Sequence, residues 1–525
     1  VGCLARVNGV IYGSVQLAIN IANPGDQVDV SGRCSGAHPF NAGGSQGVVY
    51  QTVHIDKNLT LMGGWTDDFL NQGLTTILDA EGQGRVIYIS PGISVTISSF
   101  DIISGDANAA GMDGNGGGIY ANDGSSPTIL KTRIYSNTAV NGAGIYLNNA
   151  LAMVAGGNRV YLNTAVGNGG GILAANTTLT ATIQNNFIFK NSAANGAGFY
   201  NESGDARFWH NDVVSNTAVS LGGGIYARAD APDIRANIVT FNQAGLADGA
   251  YGFTGSAPTL GYNNFFGQTA DFGGVIGGGG AGHMSADPMF KNLPAFNFTV
   301  FYTSPVVDKG DPLMSLAVDY EGEIRPSQQG FDIGADEFGG CFARALIAPN
   351  KIYGSVQLAV DNAIPGDTVQ VDGQCLGVNT QTIGGGVTVS QTLYISNNLT
   401  LDGNWDYRDN VNATLNPVFR GRGFFVNTGA VVTMTNFTFF NGDAANAGIV
   451  DGGGGLYNQG TLYLSDSIFA DNTAQLGGGA YNAGALRLET SWFITNTAVS
   501  GGGFYNNSPG FQATVSGNDF MTAVP

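Results

Sequence analysis

Apolar residues in this chain come in bursts of two to five, separated by stretches rich in Gly and Asn. One burst recurs as a motif, GGG(I/F/A)Y or a close variant, at 116–120, 142–146, 169–173, 196–200 and 222–226, and again at 453–457, 477–481 and 501–505. Its third Gly advances by 26, 27, 27 and 26 residues in the first set and by 24 and 24 in the second. Self-similarity at such a period predicts a solenoid, in which each repeat is one coil that buries its apolar face against its neighbours. Strands of three to five residues between Asn and Gly turns leave no room for helices within a coil. About 25 residues accommodate three short strands and three turns, so the pattern predicts an all-β chain, a parallel β-helix.

Each position in the coil then has an expected role. Ile119, Ile145, Ile172, Phe199 and Ile225 share one phase and are predicted to stack inward as a core column. Tyr120, Tyr146, Tyr200 and Tyr226 follow them, and strand alternation sends them to the opposite face. Two roles fit this second column: contact with sugar rings, or coil-on-coil stacking. Asn137, Asn163, Asn191 and Asn216 open a repeated Asn-(Thr/Ser)-Ala step, which returns at Asn472 and Asn496. Asn and Gly tolerate left-handed backbone and are expected at the corners, where stacked Asn side chains form a ladder.

The chain also contains a duplication. Residues 11–36 return at 352–377 and residues 51–65 at 391–405, offsets of 341 and 340. This predicts two tandem units. The first, 1–340, has a cap region 1–70, coils 71–285 and a closing module 286–340. The second, 341–525, is incomplete at its end. Each opening reads as a short helix over 14–22, N-capped by Ser14 and stopped by Asn23-Pro24-Gly25-Asp26, then a strand at 28–30. Such a helix shields an edge that otherwise pairs with another chain. All four cysteines lie in these openings. Their paired recurrence favours one disulfide each, Cys3 with Cys34 and Cys341 with Cys375, over free thiols or metal ligation, and implies an oxidising compartment. Val1-Gly2-Cys3 resembles the end of a lipoprotein signal, but Cys341 holds the same place in mid-chain.

Composition narrows the function classes. Charged residues are 11% of 525, and 30 Phe and 20 Tyr argue against disorder. A net charge of −19 without a basic run makes nucleic acid an unexpected partner. No apolar stretch of about 18 residues predicts a membrane-spanning helix.

Several segments carry a family resemblance. SVQLAINIANPGDQVDV at 14–30 resembles the entry segment of pectate-lyase-like right-handed β-helix proteins. Coils such as Phe469-Ala-Asp-Asn472 before Gly477 resemble the polymorphic outer-membrane-protein repeats of bacterial surface proteins. Residues 304–310, 319–326 and 332–338 are similar to the closing module of bacterial extracellular β-helix proteins, a module that often precedes a cell-surface anchor. The resemblance implies tandem right-handed parallel β-helices in a secreted or cell-surface protein.

Candidate chemistry is sparse. A polysaccharide lyase or glycoside hydrolase is the alternative to a structural or adhesive role. Arg207 and His210 near Asp205, and Asp233 with Arg235, are the clusters to consider. Asp67-Asp68 offers paired carboxylates, but the second copy has Asp406-Tyr407-Arg408-Asp409 there. Four His without HxH or HExxH spacing argue against zinc. One acidic loop recurs, with Asp106 and Asp113 matched by Asp443 and Asp451. It is a candidate calcium site, and Asx turns explain it equally well. The second copy stops at Pro525 in mid-coil, which predicts a longer natural chain or head-to-tail association with another subunit. The reading as a whole is a non-enzymatic stalk, fibre or filament subunit at a cell surface, with surface glycans as a partner class.

Overall fold

A computed structural model describes residues 2–43, 47–111, 113–175, 178–301, 304–314, 316–320, 322, 325–326, 330–338, 341–347, 352–353, 355–383, 386–405, 412–448, 451–508 and 513–521. Two compact units divide the chain, Val1–Phe338 and Gly339–Pro525. Glu321, Glu323, Ile324, Gly339, Gly340, Asp406, Tyr407, Arg408, Asp409 and Pro525, all used in the sequence reading, lie outside the described residues.

Each unit is a parallel β-helix whose coils contribute strands to three faces. In the first unit, one face stacks Gln27–Ser31, Leu59–Trp65, Ser94–Ser98 and Ser126–Leu130 in parallel. The second stacks Arg33–Ser35, Thr76–Asp79, Phe100–Ile103 and Arg133–Tyr135. The third is a ten-stranded sheet that includes Arg85–Ile89, Ile119–Ala121, Ile145–Asn148, Ile172–Ala175, Phe199–Ser203 and Ile225–Ala227. Its register runs Ile119, Ile145, Ile172, Phe199, Ile225, and every one of these side chains is completely buried. The GGG(I/F/A)Y period is therefore the pitch of one coil.

The three glycines of the motif serve different needs. The first has a left-handed backbone, as at Gly142 with φ of 59°. The third allows backbones to touch: a Cβ on Gly144 would lie 2.5 Å from the Gly171 carbonyl oxygen of the next coil. The corners differ from expectation at Asn. The left-handed residue is the one before each ladder Asn, namely Ser136, Leu162, Lys190 and Ser215. The Asn side chain turns inward, and Asn137 Nδ2 donates to the carbonyls of Tyr135 and Ile102. Internal hydrogen bonding thus holds a left-handed residue of almost any type at the corner. The Thr-Ala that follows forms a fourth short sheet, Thr138–Ala139 through Thr217–Leu221, instead of plain turn. Ala139, Ala165, Ala193 and Ala218 pack together beneath it, small enough for this tight passage.

The openings bear out the sequence pattern. Helix α1 (Val15–Ile21) is capped by Ser14, whose Oγ accepts from Leu17 N, and buries Val15, Ala18 and Ile19. Gln16 makes it an edge cover: its Oε1 accepts from His54 N at 2.7 Å and its Nε2 donates to His54 O at 3.1 Å, in place of a neighbouring strand. Helix α2 (Val356–Asn362) repeats this through Gln357 and Tyr394. The disulfides Cys3–Cys34 and Cys341–Cys375 are formed.

The second unit stacks Thr368–Asp372, Leu399–Asp402, Val431–Thr435, Thr461–Ser465, Ala485–Glu489 and Ala513–Ser516 on one face. Its core includes Phe424, Phe439, Phe469 and Phe493.

Described residues of segment 286–338 lie against the outside of the second face of the first unit. Phe298, Phe290, Phe296 and Tyr320 pack on the outward Phe187, Phe189 and Val214. Val300, Val306, Ile333 and Phe338 pack on Ile238.

Candidate functional surfaces

Polar and aromatic columns run along the coils of the first unit. In the first, Asn137, Asn163, Asn191, Asn216 and Asn242 each pass an Nδ2–H to the next Oδ1 at 2.9–3.0 Å. Each ladder Oδ1 from Asn163 onward also accepts the backbone N–H of the preceding Asn. A second ladder, absent from the sequence reading, links Asn158, Asn186, Asn211, Asn237 and Asn263 at 2.9–3.1 Å. Its signal in the sequence is a fixed offset: Asn158, Asn186, Asn211 and Asn237 each stand five residues before an Asn of the first ladder, with an apolar residue two places on.

The third column is aromatic. Tyr88, Tyr120 and Tyr146 stack with centroids 5.5 and 5.3 Å apart. Leu173 interrupts the column, and Tyr200, Tyr226 and Tyr251 resume it at 4.7 and 5.3 Å. Tyr120, Tyr200 and Tyr226 are buried, so their ring faces are spent on one another. Burial holds the Tyr120 and Tyr200 hydroxyls well above the ordinary phenol range. A groove of about 460 Å³ runs beside the column, lined by Tyr146, Leu173, Tyr200 and the row Asn141, Asn168, Asn195, with the Glu202–Arg228 ion pair at its rim. This groove offers amides and ring edges, not open ring faces.

The candidate catalytic clusters separate. Arg207 lies over Trp209, and Asp205 accepts from Ala231 N. Asp233 pairs with Arg235, which also holds Asp311 at 2.8 Å. Asp67 accepts from Ser31 and Asp68 from Thr66 and Leu70 N, so the two carboxylates serve separate partners.

His210 belongs to a cluster that becomes visible only once segment 286–338 is in place. Arg325 is completely buried. Its Nη1 donates to Glu337 at 2.9 Å and lies 3.1 Å from His210 Nδ1, and its Nη2 donates to the carbonyls of Gly334 and Ala335. Burial, reinforced by Arg325, pushes the His210 imidazole well below its usual range and keeps it neutral. Burial holds Asp212 well above the usual carboxylate range, with Asp336 adding to the effect, although Asp212 Oδ1 accepts from Ala335 N. Asp332 is held high by burial and by Glu337. These groups are sealed from solvent and clamp the segment to the coils.

The acids of the recurring loop each have a partner within the protein. Asp106 and Asp443 each cap a short 3-10 turn, accepting from Asn108 N and Ala445 N. Asp113 pairs with the buried Arg85 at 3.1 Å, and Asp451 accepts from Gln475 N at 2.9 Å. Among the described residues no three His, Cys, Asp or Glu side chains converge as metal ligands. The recurrence has a structural reason: Arg85 and Arg422 fill equivalent buried places, donating to the carbonyls of Asn115 and Gly452.

Among the described residues no helix is long and apolar enough to cross a membrane. No family profile and no curated protein matches the chain. One solved structure, "Crystal structure of pectate lyase Pel9A", aligns with 61% of this chain and 90% of its own length at 10% identity, with a TM-score of 0.33. The β-helix assignment rests on the strand pairing of this chain.

Proposed function

We propose that this protein is a non-enzymatic, extracellular structural or adhesive element, a stalk, fibre or filament subunit of a cell surface. The observation that carries the reading is where the recurring side chains go. The Asn, Tyr and Ile columns all join one coil to the next, and the candidate acid–base clusters are split up: His210 is sealed against Arg325, Asp233 pairs with Arg235, and Asp205, Asp67 and Asp68 accept from backbone or hydroxyl partners. A protein selected for turnover concentrates such groups in an open pocket. Two disulfides suit an oxidising exterior. Head-to-tail self-association belongs to the same reading, because a coil edge presents backbone groups that another coil satisfies.

Electron microscopy of native material tests assembly, and stalks or filaments are the expected result. Incubation with uronate and neutral polysaccharides is expected to release neither unsaturated uronates nor reducing ends. Sustained release of either overturns the non-enzymatic reading.

A further inference from the structure

At the corner between the first and second faces of unit one, successive coils place a left-handed residue at Ser99, Lys131, Gly157, Asn185 and His210. From Asn185 onward segment 286–338 covers this corner, with Asn185 Nδ2 donating to Val318 O and His210 meeting Arg325. Tyr320 lines the next stretch of this corner. A groove of about 390 Å³ lies there, between Tyr320 and residues 63–64 and 72–76, and its floor carries Lys131, Arg133 and Arg159.

Arg133 and Arg159 are direct register partners on adjacent coils, about 4.8 Å apart. Arg133 holds both oxygens of Asp101 and is half exposed. Arg159 donates through Nη2 to Phe296 O and lies over Phe187 and Phe189. Lys131 is exposed, and among the described residues it has no carboxylate within ion-pair distance. Among the described residues that line the groove, three cations stand against one carboxylate, in a chain whose net charge is −19.

The duplication supplies an internal control. Lys131 and Arg133 stand six and four residues before ladder Asn137, and Arg159 four before Asn163. The same places before Asn472 and Asn496 hold Asp466, Ile468 and Trp492. The strands pair in the same way, Thr438 with Ile468 and Ile468 with Trp492, and Asp466 is left-handed like Lys131. The corner therefore folds without any of the three cations, and coil geometry does not explain them.

We propose that this groove of the first unit binds a glycan chain bearing repeated anionic groups, carboxylate or sulfate. Guanidinium and ammonium groups on successive coils match negative groups repeated along a chain. Gln72 and Thr75, both exposed, and Ser99 on the walls suit sugar hydroxyls. The proposal does not depend on the stalk reading, because a binding groove works on a single molecule.

The test is calorimetric titration of the full chain at low ionic strength with alginate, dextran sulfate, unmodified dextran and a single-stranded DNA oligonucleotide. Binding of alginate alone assigns a carboxylated ligand, and of dextran sulfate alone a sulfated one. Unmodified dextran is expected not to bind. Lys131→Asp places at this corner the residue type that the second unit already tolerates there, so its melting temperature is expected to match the parent. It should weaken anionic-glycan binding about tenfold or more. Arg487→Glu, the same change of charge in the second unit, is expected to leave binding within about twofold. Failure of both anionic glycans to bind, undiminished binding by Lys131→Asp, or DNA binding as tight as either glycan overturns the proposal.

Discussion

Asn191 shows what one residue contributes. Its Nδ2 donates to Val160 O and Asn216 Oδ1, and its Oδ1 accepts from Asn163 N and Nδ2. Asn191→Ala strands the Val160 carbonyl and the Asn163 N–H inside the coil. At about 1–3 kcal/mol per buried unpaired group, the expected loss is about 2–6 kcal/mol, read from the urea midpoint. His210 and Asp212 set opposing pH dependences. Neutral His210 takes up no proton when folded, so below about pH 6.5 the unfolded chain binds more protons and stability falls with pH. Asp212 keeps its proton when folded after the unfolded chain has lost it, so stability falls as pH rises above about 3.9. The groups facing the pair are Arg325, Asp332, Asp336 and Glu337, and they remain in both variants. In thermal melts across pH, His210→Gln should flatten the acid limb and Asp212→Asn should raise the melting temperature at neutral pH.

At the scale of the element, the coil is a local object and was largely legible in the sequence. Gly, the Ile and Tyr phases and the Asn-Thr-Ala step recur at the period of one coil, so periodicity alone places them. The Asn158–Asn263 ladder was legible too, as an Asn five residues before each of Asn163, Asn191, Asn216 and Asn242, but it lies outside the Gly and Asn-Thr-Ala motifs that mark the period. The left-handed corners escaped because Leu162 and Lys190 carry no intrinsic preference for that backbone. Gly144→Ala should destabilise the unit by displacing the Gly171 carbonyl, measurable as a loss of amide protection in the two coils concerned. Replacing Cys3 and Cys34 with Ser opens a crosslink between residues 31 apart and should cost about 3–4 kcal/mol in denaturant unfolding.

At the scale of the whole molecule, the duplication, the disulfides and the solenoid were determined by the sequence itself, because they are written as repeats along the chain. What segment 286–338 does was decided by tertiary structure. Phe298 is completely buried, 5.2 Å from Phe187 and 5.1 Å from Phe189, over a hundred residues distant in the chain. Phe298→Ala should cost about 3–5 kcal/mol of docking, read as faster amide exchange in 286–338 while the Ile119–Ile225 column stays protected. That docking sets Arg325 on His210 and Ala335 on Asp212, while Lys131 stays exposed. A stacking period is a nearest-neighbour property and survives in one dimension. Burial, pKa shift and groove depend on which distant side chains share a volume, and no local pattern in the chain encodes that.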